Sequence, residues 1–135
     1  MKKSAAILYA SVLAAALTTA CNPEKEAAKS VAYEYSAAMA NYDIDKAETY
    51  VTPETKETLR RARNIVRGVG EEYIRQDTPA TIEITDITIK DDTIAVASYH
   101  KHTPIKDFDG TLDLRKRNGN WLAHCPLEYL EVPKQ

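Results

Sequence analysis

The sequence has little glycine and proline, only 4 and 6 residues among 135. This scarcity excludes a collagen-like or linker-rich protein. Basic residues are not in excess either, because the formal net charge is −2. This charge balance disfavours a protein that binds the phosphate backbone of DNA or RNA. A chain of this length is too short for two domains of ordinary size. We therefore expect one small globular domain with no nucleic-acid partner.

Cysteine is also scarce, and the two cysteines lie in unlike surroundings. Cys21 ends the most apolar stretch of the chain, whereas Cys125 lies near the C-terminus. No second thiol stands near Cys125, which excludes a redox or metal-binding cysteine motif there. We expect Cys125 to be a buried thiol, with an intermolecular disulfide as the alternative.

The N-terminal apolar stretch follows Lys2 and Lys3 and carries no charge from Ser4 to Ala20. Its apolar length is below the roughly 20 residues that a membrane-spanning helix needs. A basic start, a short apolar run and small residues at its end are typical of a secretory signal peptide. The sequence therefore predicts a signal peptide over residues 1–20, with a core helix as the alternative.

The segment Leu17-Thr18-Thr19-Ala20-Cys21 resembles the lipobox of bacterial lipoproteins, although leucine stands four residues before the cysteine rather than three. The resemblance implies that Cys21 carries acyl chains, palmitate among them, and begins the mature protein. Several acyl chains anchor a protein stably, whereas one chain does not. The resemblance also implies a bacterial cell-envelope location, and Asn22 after the cysteine favours the outer membrane.

Removal of residues 1–20 would leave 16 basic and 20 acidic residues. This net negative charge does not favour an anionic membrane surface, so any membrane attachment would come from the lipid. We expect a lipidated tether over residues 21–26, one domain over residues 27–130 and a tail over residues 131–135.

Helical periodicity is confined to the first part of this mature chain. Apolar residues at spacings of three and four predict a first helix over about residues 27–42 and a second over about residues 44–51. Thr52-Pro53-Glu54 is typical of the start of a third helix. Gly68 and Gly70 lie within that third helix and either permit close packing or break it.

Strand periodicity begins at Ala80, where apolar residues start to alternate and β-branched residues dominate. The predicted strands cover about residues 81–90, 93–103, 108–116 and 120–126. Three N-terminal helices followed by four antiparallel strands predict an α+β fold, in which the helices pack on one face of a curved sheet.

The first hairpin turn decides which residues of the second strand face the core. If Asp91-Asp92 is a two-residue loop, Ile94 and Val96 face the core. The isoleucines on either side of Thr85-Asp86 are out of phase with one another, which predicts a β-bulge at that point.

The second hairpin turn is Asn118-Gly119, the preferred pair for a type I′ turn. Its register places one set of side chains on the core face: Leu112, Leu114, Trp121, Ala123 and Cys125. On the opposite face Asp113 is paired with His124. We expect that pair to be a solvent-facing contact rather than a catalytic dyad.

The histidines are the candidates for chemistry. His100 and His102 lie two residues apart on one strand, a spacing that metal sites use, and they share the phase of that strand's predicted core residues. His124 is expected on the wrong face to complete a three-histidine site. Two histidines with Glu83 or an aspartate stay open as a site, and an exposed polar strand end is the simpler interpretation. We expect no metal ion and no cofactor.

Several aromatic residues are candidates for a ligand pocket between helices and sheet. A tyrosine has an apolar body and a polar tip, which suits a pocket wall as well as a core of medium polarity. The pocket candidates are Tyr33, Tyr35, Tyr73 and Trp121.

Four segments together resemble a family of small bacterial lipoproteins of unknown function with a cystatin-like, or nuclear transport factor 2-like, cone. The segments are Tyr35 to Asp43, Asp45-Lys46-Ala47, Tyr50 to Glu54, and Arg117-Asn118-Gly119-Asn120-Trp121. The resemblance implies a cone that can hold a small ligand. Some members of the wider superfamily are dehydratases or isomerases with an Asp/His pair inside the cone, and no such pair stands at matching positions here.

Two functions follow from these observations. The first is a lipid-anchored, non-catalytic module of the cell envelope that binds an envelope protein or a small ligand. The alternative is a lyase or isomerase of the cone superfamily with His100 or His102 as general base. Homodimerisation through an open sheet face fits either function.

Overall fold

The computed structural model describes residues 22–130. The predicted signal peptide, Cys21 and the tail over residues 131–135 lie outside this range. None of the helices within it is long and apolar enough to cross a membrane.

Within residues 22–130 four helices precede the sheet, and they are α1 (Pro23–Ala40), α2 (Ile44–Glu48), α3 (Pro53–Gly68) and α4 (Glu71–Asp77). The side chain of Asn22 caps α1, since its Oδ1 accepts hydrogen bonds from the backbone N–H groups of Glu24 and Lys25. Residues 23–26 are therefore helical, although the sequence suggested a tether there.

The predicted third helix is divided into α3 and α4. It ends at Gly68, Val69 adopts an extended backbone conformation, and the next helix starts after Gly70. Each glycine inside a helix lowers the stability of the helix by roughly 0.5–1 kcal/mol relative to alanine, and here two glycines lie close together. Of the two alternatives for these glycines, the helix break is the one that the structure adopts.

The sheet is antiparallel with strand order β1-β2-β3-β4. Its strands are β1 (Thr81–Asp91), β2 (Ile94–His102), β3 (Asp107–Arg117) and β4 (Asn120–Ala123), and a 3₁₀ turn follows at Leu127–Leu130. The backbone on either side of Val51 pairs with Ala123 and covers the β4 edge, with N···O distances of 2.7 and 3.0 Å. The predicted α+β fold is confirmed.

The predicted bulge in β1 is confirmed, because the register shifts between Ile84 and Asp86. The predicted β1–β2 turn is wrong by one residue. Asp91 pairs with Ile94, and the Asp91 Oδ1 atom accepts a hydrogen bond of 2.8 Å from the Thr93 backbone, so the loop is Asp92-Thr93.

A shift of one residue moves every side chain of a strand to the other face. On β2 the wholly buried residues are consequently Ala95 and Ala97, and not the half-buried Ile94 and Val96. The β3–β4 register agrees with prediction, with Leu114 opposite Ala123 and Lys116 opposite Trp121.

The core lies between α1 and one face of the sheet, which we call the inner face. Ala28 and Ala32 of α1 are wholly buried in the same cluster as Ala95 and Ala97 of β2. These small side chains allow the helix and the sheet to approach closely. Larger side chains, Leu114 among them, fill the rest of the cluster.

Candidate functional site

A cavity of about 360 Å³ lies between the C-terminal half of α1 and the inner face of the sheet. Its walls come from α1, from β1, β2 and β3, and from the chain after β4. The lining residues are Tyr35, Ser36, Met39, Ala40, Ile82, Tyr99, Lys101, Phe108, Thr111, Leu112 and Cys125. Apolar and aromatic side chains thus predominate, with a few polar groups among them, as in many ligand pockets.

Two tyrosines bring hydroxyl groups to this cavity. Tyr35 is buried on α1 and Tyr99 is half-buried on β2, and the described residues provide neither hydroxyl with a hydrogen-bond partner. Burial raises the pKa of both phenols above the ordinary value, and the nearby Cys125 raises each pKa further. Both hydroxyls therefore stay protonated at neutral pH and can donate a hydrogen bond to a ligand.

Gly110 allows Tyr99 to lie across β3. The two residues are opposite each other in the β2–β3 register. A Cβ atom at Gly110 would stand 2.5 Å from the Tyr99 hydroxyl oxygen and 2.6 Å from the ring carbon that carries it. Any larger residue at this position would displace the tyrosine ring that forms a wall of the cavity.

Cys125 also lines the cavity, as a free thiol that is partly exposed. Its backbone N–H donates a hydrogen bond of 2.9 Å to Thr55 Oγ1 at the start of α3. Burial raises the pKa of the thiol, and Asp113 adds to the effect. A thiol with a raised pKa is protonated at neutral pH and is a poor nucleophile, so we interpret Cys125 as part of the cavity wall.

His100 and His102 lie on the outer face of the sheet, away from the cavity. The Nδ1 atom of His100 is 2.8 Å from Asp109 Oδ1, and His102 Nδ1 contacts Asp107 Oδ1. The hydrogen bond with Asp109 raises the pKa of His100. The inference that these histidines share a core-facing phase was wrong, because it depended on the misplaced β1–β2 turn.

Comparison of this chain with solved structures identifies proteins of similar fold. A protein from Campylobacter jejuni, named as an NTF2-like transpeptidase, matches with a TM-score of 0.56 and 17% sequence identity over 78% of this chain and 99% of that one. The chain has a nuclear transport factor 2-like fold. No protein-family model matches the sequence, and no curated protein does.

One of the four aromatic pocket candidates, Tyr35, lines the cavity of this nuclear transport factor 2-like domain. Tyr33 faces a separate groove beside β1, and Tyr73 is exposed on α4. Trp121 is buried near the other end of α1, where its Nε1–H donates a hydrogen bond of 2.8 Å to Glu24.

The other lining residues were not predicted as pocket residues from the sequence, and the large side chains among them include Met39, Tyr99, Lys101 and Phe108. The sequence signal that would have identified Tyr99 and Lys101 on β2 is the Asx turn at Asp91, because this turn fixes which residues of β2 face the core. Among residues 22–130, no group of three or more histidine, cysteine or acidic side chains is placed to hold a metal ion.

His124 is buried in the nuclear transport factor 2-like domain, although the sequence suggested a solvent-facing side chain. Its backbone N–H donates to the carbonyl of Asp113, and its ring Nδ1 atom is 2.9 Å from Thr52 Oγ1. The reason is that β4 ends at Ala123, after which the chain turns beneath the start of α3. Burial lowers the pKa of His124, and Arg115 lowers it further.

We expect this histidine to make stability depend on pH. A depressed pKa means that the folded state favours the neutral ring. The stabilisation is therefore complete above about pH 6.5 and is lost as the pH falls through the folded-state pKa. Urea unfolding from pH 7.5 to pH 5 should show a larger loss of free energy of unfolding for the native chain than for His124→Gln.

His100 provides a control of opposite sign, since its pKa is raised. Its stabilisation is complete below about pH 6.5 and is lost as the pH rises through the folded-state pKa. His100→Gln should therefore reduce stability more at pH 5 than at pH 8. Parallel pH profiles for the native chain and His124→Gln would contradict the assigned role of His124.

Proposed function

We propose that this protein is a lipid-anchored component of the bacterial cell envelope that binds a small ligand in its cone without catalysing a reaction. The composition of the cavity wall carries the proposal. The described lining residues include no histidine, aspartate or glutamate, and the two tyrosines and the thiol all have raised pKa values. A general base poised near neutral pH is thus lacking among them, while hydrogen-bond donors for a ligand are present.

The position of α1 supports an arrangement in which the cavity lies away from the membrane. α1 begins at Pro23, so an acylated Cys21 would lie only two residues before the helix. With about 1.5 Å of rise per residue, its 18 residues span about 27 Å. The cavity lies at the C-terminal half of α1, so a lipid at Cys21 would leave the ligand-binding end distant from the bilayer.

The anchoring part of the proposal is tested by Cys21→Ser. We expect this variant to lose fatty-acid labelling and to leave the membrane fraction, and we expect the native protein to fractionate with the outer membrane. Cys125→Ser is the matched control and should leave both labelling and location unchanged. Unchanged labelling and membrane location in Cys21→Ser would refute the lipid anchor.

The binding part is tested with 1-octanol, a neutral molecule that fits the apolar cavity. Titration of the isotope-labelled Cys21→Ser chain, followed by backbone amide NMR, should shift signals from the C-terminal half of α1 and from β2 and β3. Met39→Trp, which fills the cavity, should abolish these shifts, and Met39→Leu should retain them. Saturation without shifts in the lining residues would refute a ligand-binding cone.

Dimerisation through the outer face of the sheet stays a prediction. The half-buried apolar side chains Ile94, Val96 and Leu122 lie on that face. Sedimentation equilibrium of the Cys21→Ser chain would measure the oligomeric state directly.

A further inference from the structure

On the β2–β3 hairpin the acidic residues lie on the outer face of the sheet, and the lysine of β2 lies on the inner face. On the outer face the acidic residues Asp107 and Asp109 are paired with His100 and His102. The inner face of the same hairpin carries Lys101, and the turn carries Lys106. Among residues 22–130, neither of these lysines forms an ion pair with a carboxylate. The ammonium groups of Lys101, which lines the cavity, and of Lys106, in the adjoining turn, therefore have no counter-charge among the described residues.

Both lysines gather around Phe108, a lining residue that is 39% exposed. The Nζ atoms of Lys101 and Lys106 lie 4.9 and 5.8 Å from the centre of its ring. A cation over an exposed aromatic ring is attracted to it only weakly, so the ring does not replace a counter-anion. The arrangement puts an apolar surface and two positive charges side by side at the edge of the cavity.

The turn that carries Lys106 is ordered by Thr103. The buried Thr103 Oγ1 donates a hydrogen bond of 2.9 Å to the Lys106 carbonyl and accepts one of 3.0 Å from the Lys106 backbone N–H. A ligand would therefore not have to order the backbone of this turn on binding. Such preorganisation lowers the entropic cost of association.

The cavity volume limits the size of the ligand. At about 30 Å³ for a water-sized group, a cavity of about 360 Å³ holds roughly ten to twelve non-hydrogen atoms. Met39 and Leu112 offer apolar walls, while the Tyr35 and Tyr99 hydroxyls offer hydrogen bonds. An unbranched chain of eight to ten carbon atoms with one polar end group is of about this size.

We propose that the ligand of the cone is a small amphipathic anion, whose apolar body occupies the cavity and whose carboxylate or phosphate group is bound by Lys101 and Lys106. This inference rests on the proposed binding function and adds the charge of the ligand to it. A cationic ligand is disfavoured, because both ammonium groups would repel it. A neutral ligand would add no negative charge to the two ammonium groups, which the residues over 22–130 leave without an ion pair.

Three compounds with the same alkyl chain test the sign of the charge. Octanoate, 1-octanol and octylamine are titrated separately into the Cys21→Ser chain at pH 7, and dissociation constants are obtained from the amide shifts of the lining residues. Hydrogen bonds to charged groups contribute about 1.5–3 kcal/mol, so octanoate should bind at least about tenfold more tightly than 1-octanol. Octylamine should bind more weakly than 1-octanol.

Two double variants separate local charge from net charge. Lys101→Gln with Lys106→Gln should weaken octanoate binding at least fivefold and should remove most of the preference for octanoate over 1-octanol. Lys56→Gln with Lys90→Gln removes the same charge from exposed positions that do not line the cavity, and it should change neither affinity.

The outcomes distinguish the two proposals. If 1-octanol binds in the cavity and octanoate binds no more tightly, the anion inference is overturned while the binding cone stands. Equal weakening by both double variants would likewise overturn the roles of Lys101 and Lys106. If none of the three compounds shifts the lining residues, the binding function itself fails, and the inference fails with it.

Discussion

Replacing Leu114 by alanine is expected to lower the free energy of unfolding by about 2–5 kcal/mol. Leu114 is wholly buried, and it lies between Ala95 on β2 and Ala123 on β4, which are also wholly buried. Because both neighbours are already alanines, no larger side chain adjoins it across the sheet to fill the space that the leucine leaves. We therefore expect a loss in the upper half of this range, measured by urea unfolding.

The matched control is Leu122→Ala, one strand away and on the outer face. Leu122 is only half-buried, so its truncation should cost about 1 kcal/mol. Native domains are stable by only about 5–15 kcal/mol, so Leu114→Ala should still fold but with a clearly lower urea midpoint. Equal losses for the two variants would show that Leu114 is not at the centre of the core.

Replacing Gly110 by alanine is expected to lower the free energy of unfolding by about 1–3 kcal/mol and to disrupt octanol binding. The new Cβ atom would overlap the ring of Tyr99, with 2.5 Å to its hydroxyl oxygen. Either the tyrosine ring leaves its place or β3 moves, and each change alters the wall of the cavity. Urea unfolding and the octanol titration measure the two effects.

A double-mutant cycle assigns the effect to Tyr99. In a Tyr99→Ala background, Gly110→Ala should cost less than about 0.5 kcal/mol, because the overlapping ring is absent. Gly68→Ala is a control for the change from glycine itself, since it has open space around its Cβ position and lies in α3. It should be neutral or stabilise by about 0.4–1 kcal/mol. An unchanged cost of Gly110→Ala without the Tyr99 ring would exclude the proposed overlap.

The sequence by itself determined much of this architecture. The change from helical spacing to alternation at Ala80 predicted the order of helices and strands, and Asn118-Gly119 predicted the β3–β4 register. In a regular strand the isoleucines before and after Thr85 would face opposite sides of the sheet, and this mismatch predicted the bulge in β1. These features depend on a few neighbouring residues, and local chemistry is sufficient to specify them.

The composition of the cavity was decided only by the tertiary structure. The hydrogen bond from the Thr93 backbone N–H to Asp91 places the β1–β2 turn one residue later than predicted. Because side chains alternate along a strand, this shift exchanges the residues on the two faces of β2. Tyr99 and Lys101 thereby join Tyr35 at the cavity, while His100 and His102 join Asp107 and Asp109 outside. The sequence gives the residue types and their spacing. Which of these side chains lie on the same face of the sheet is decided only when the strands pair.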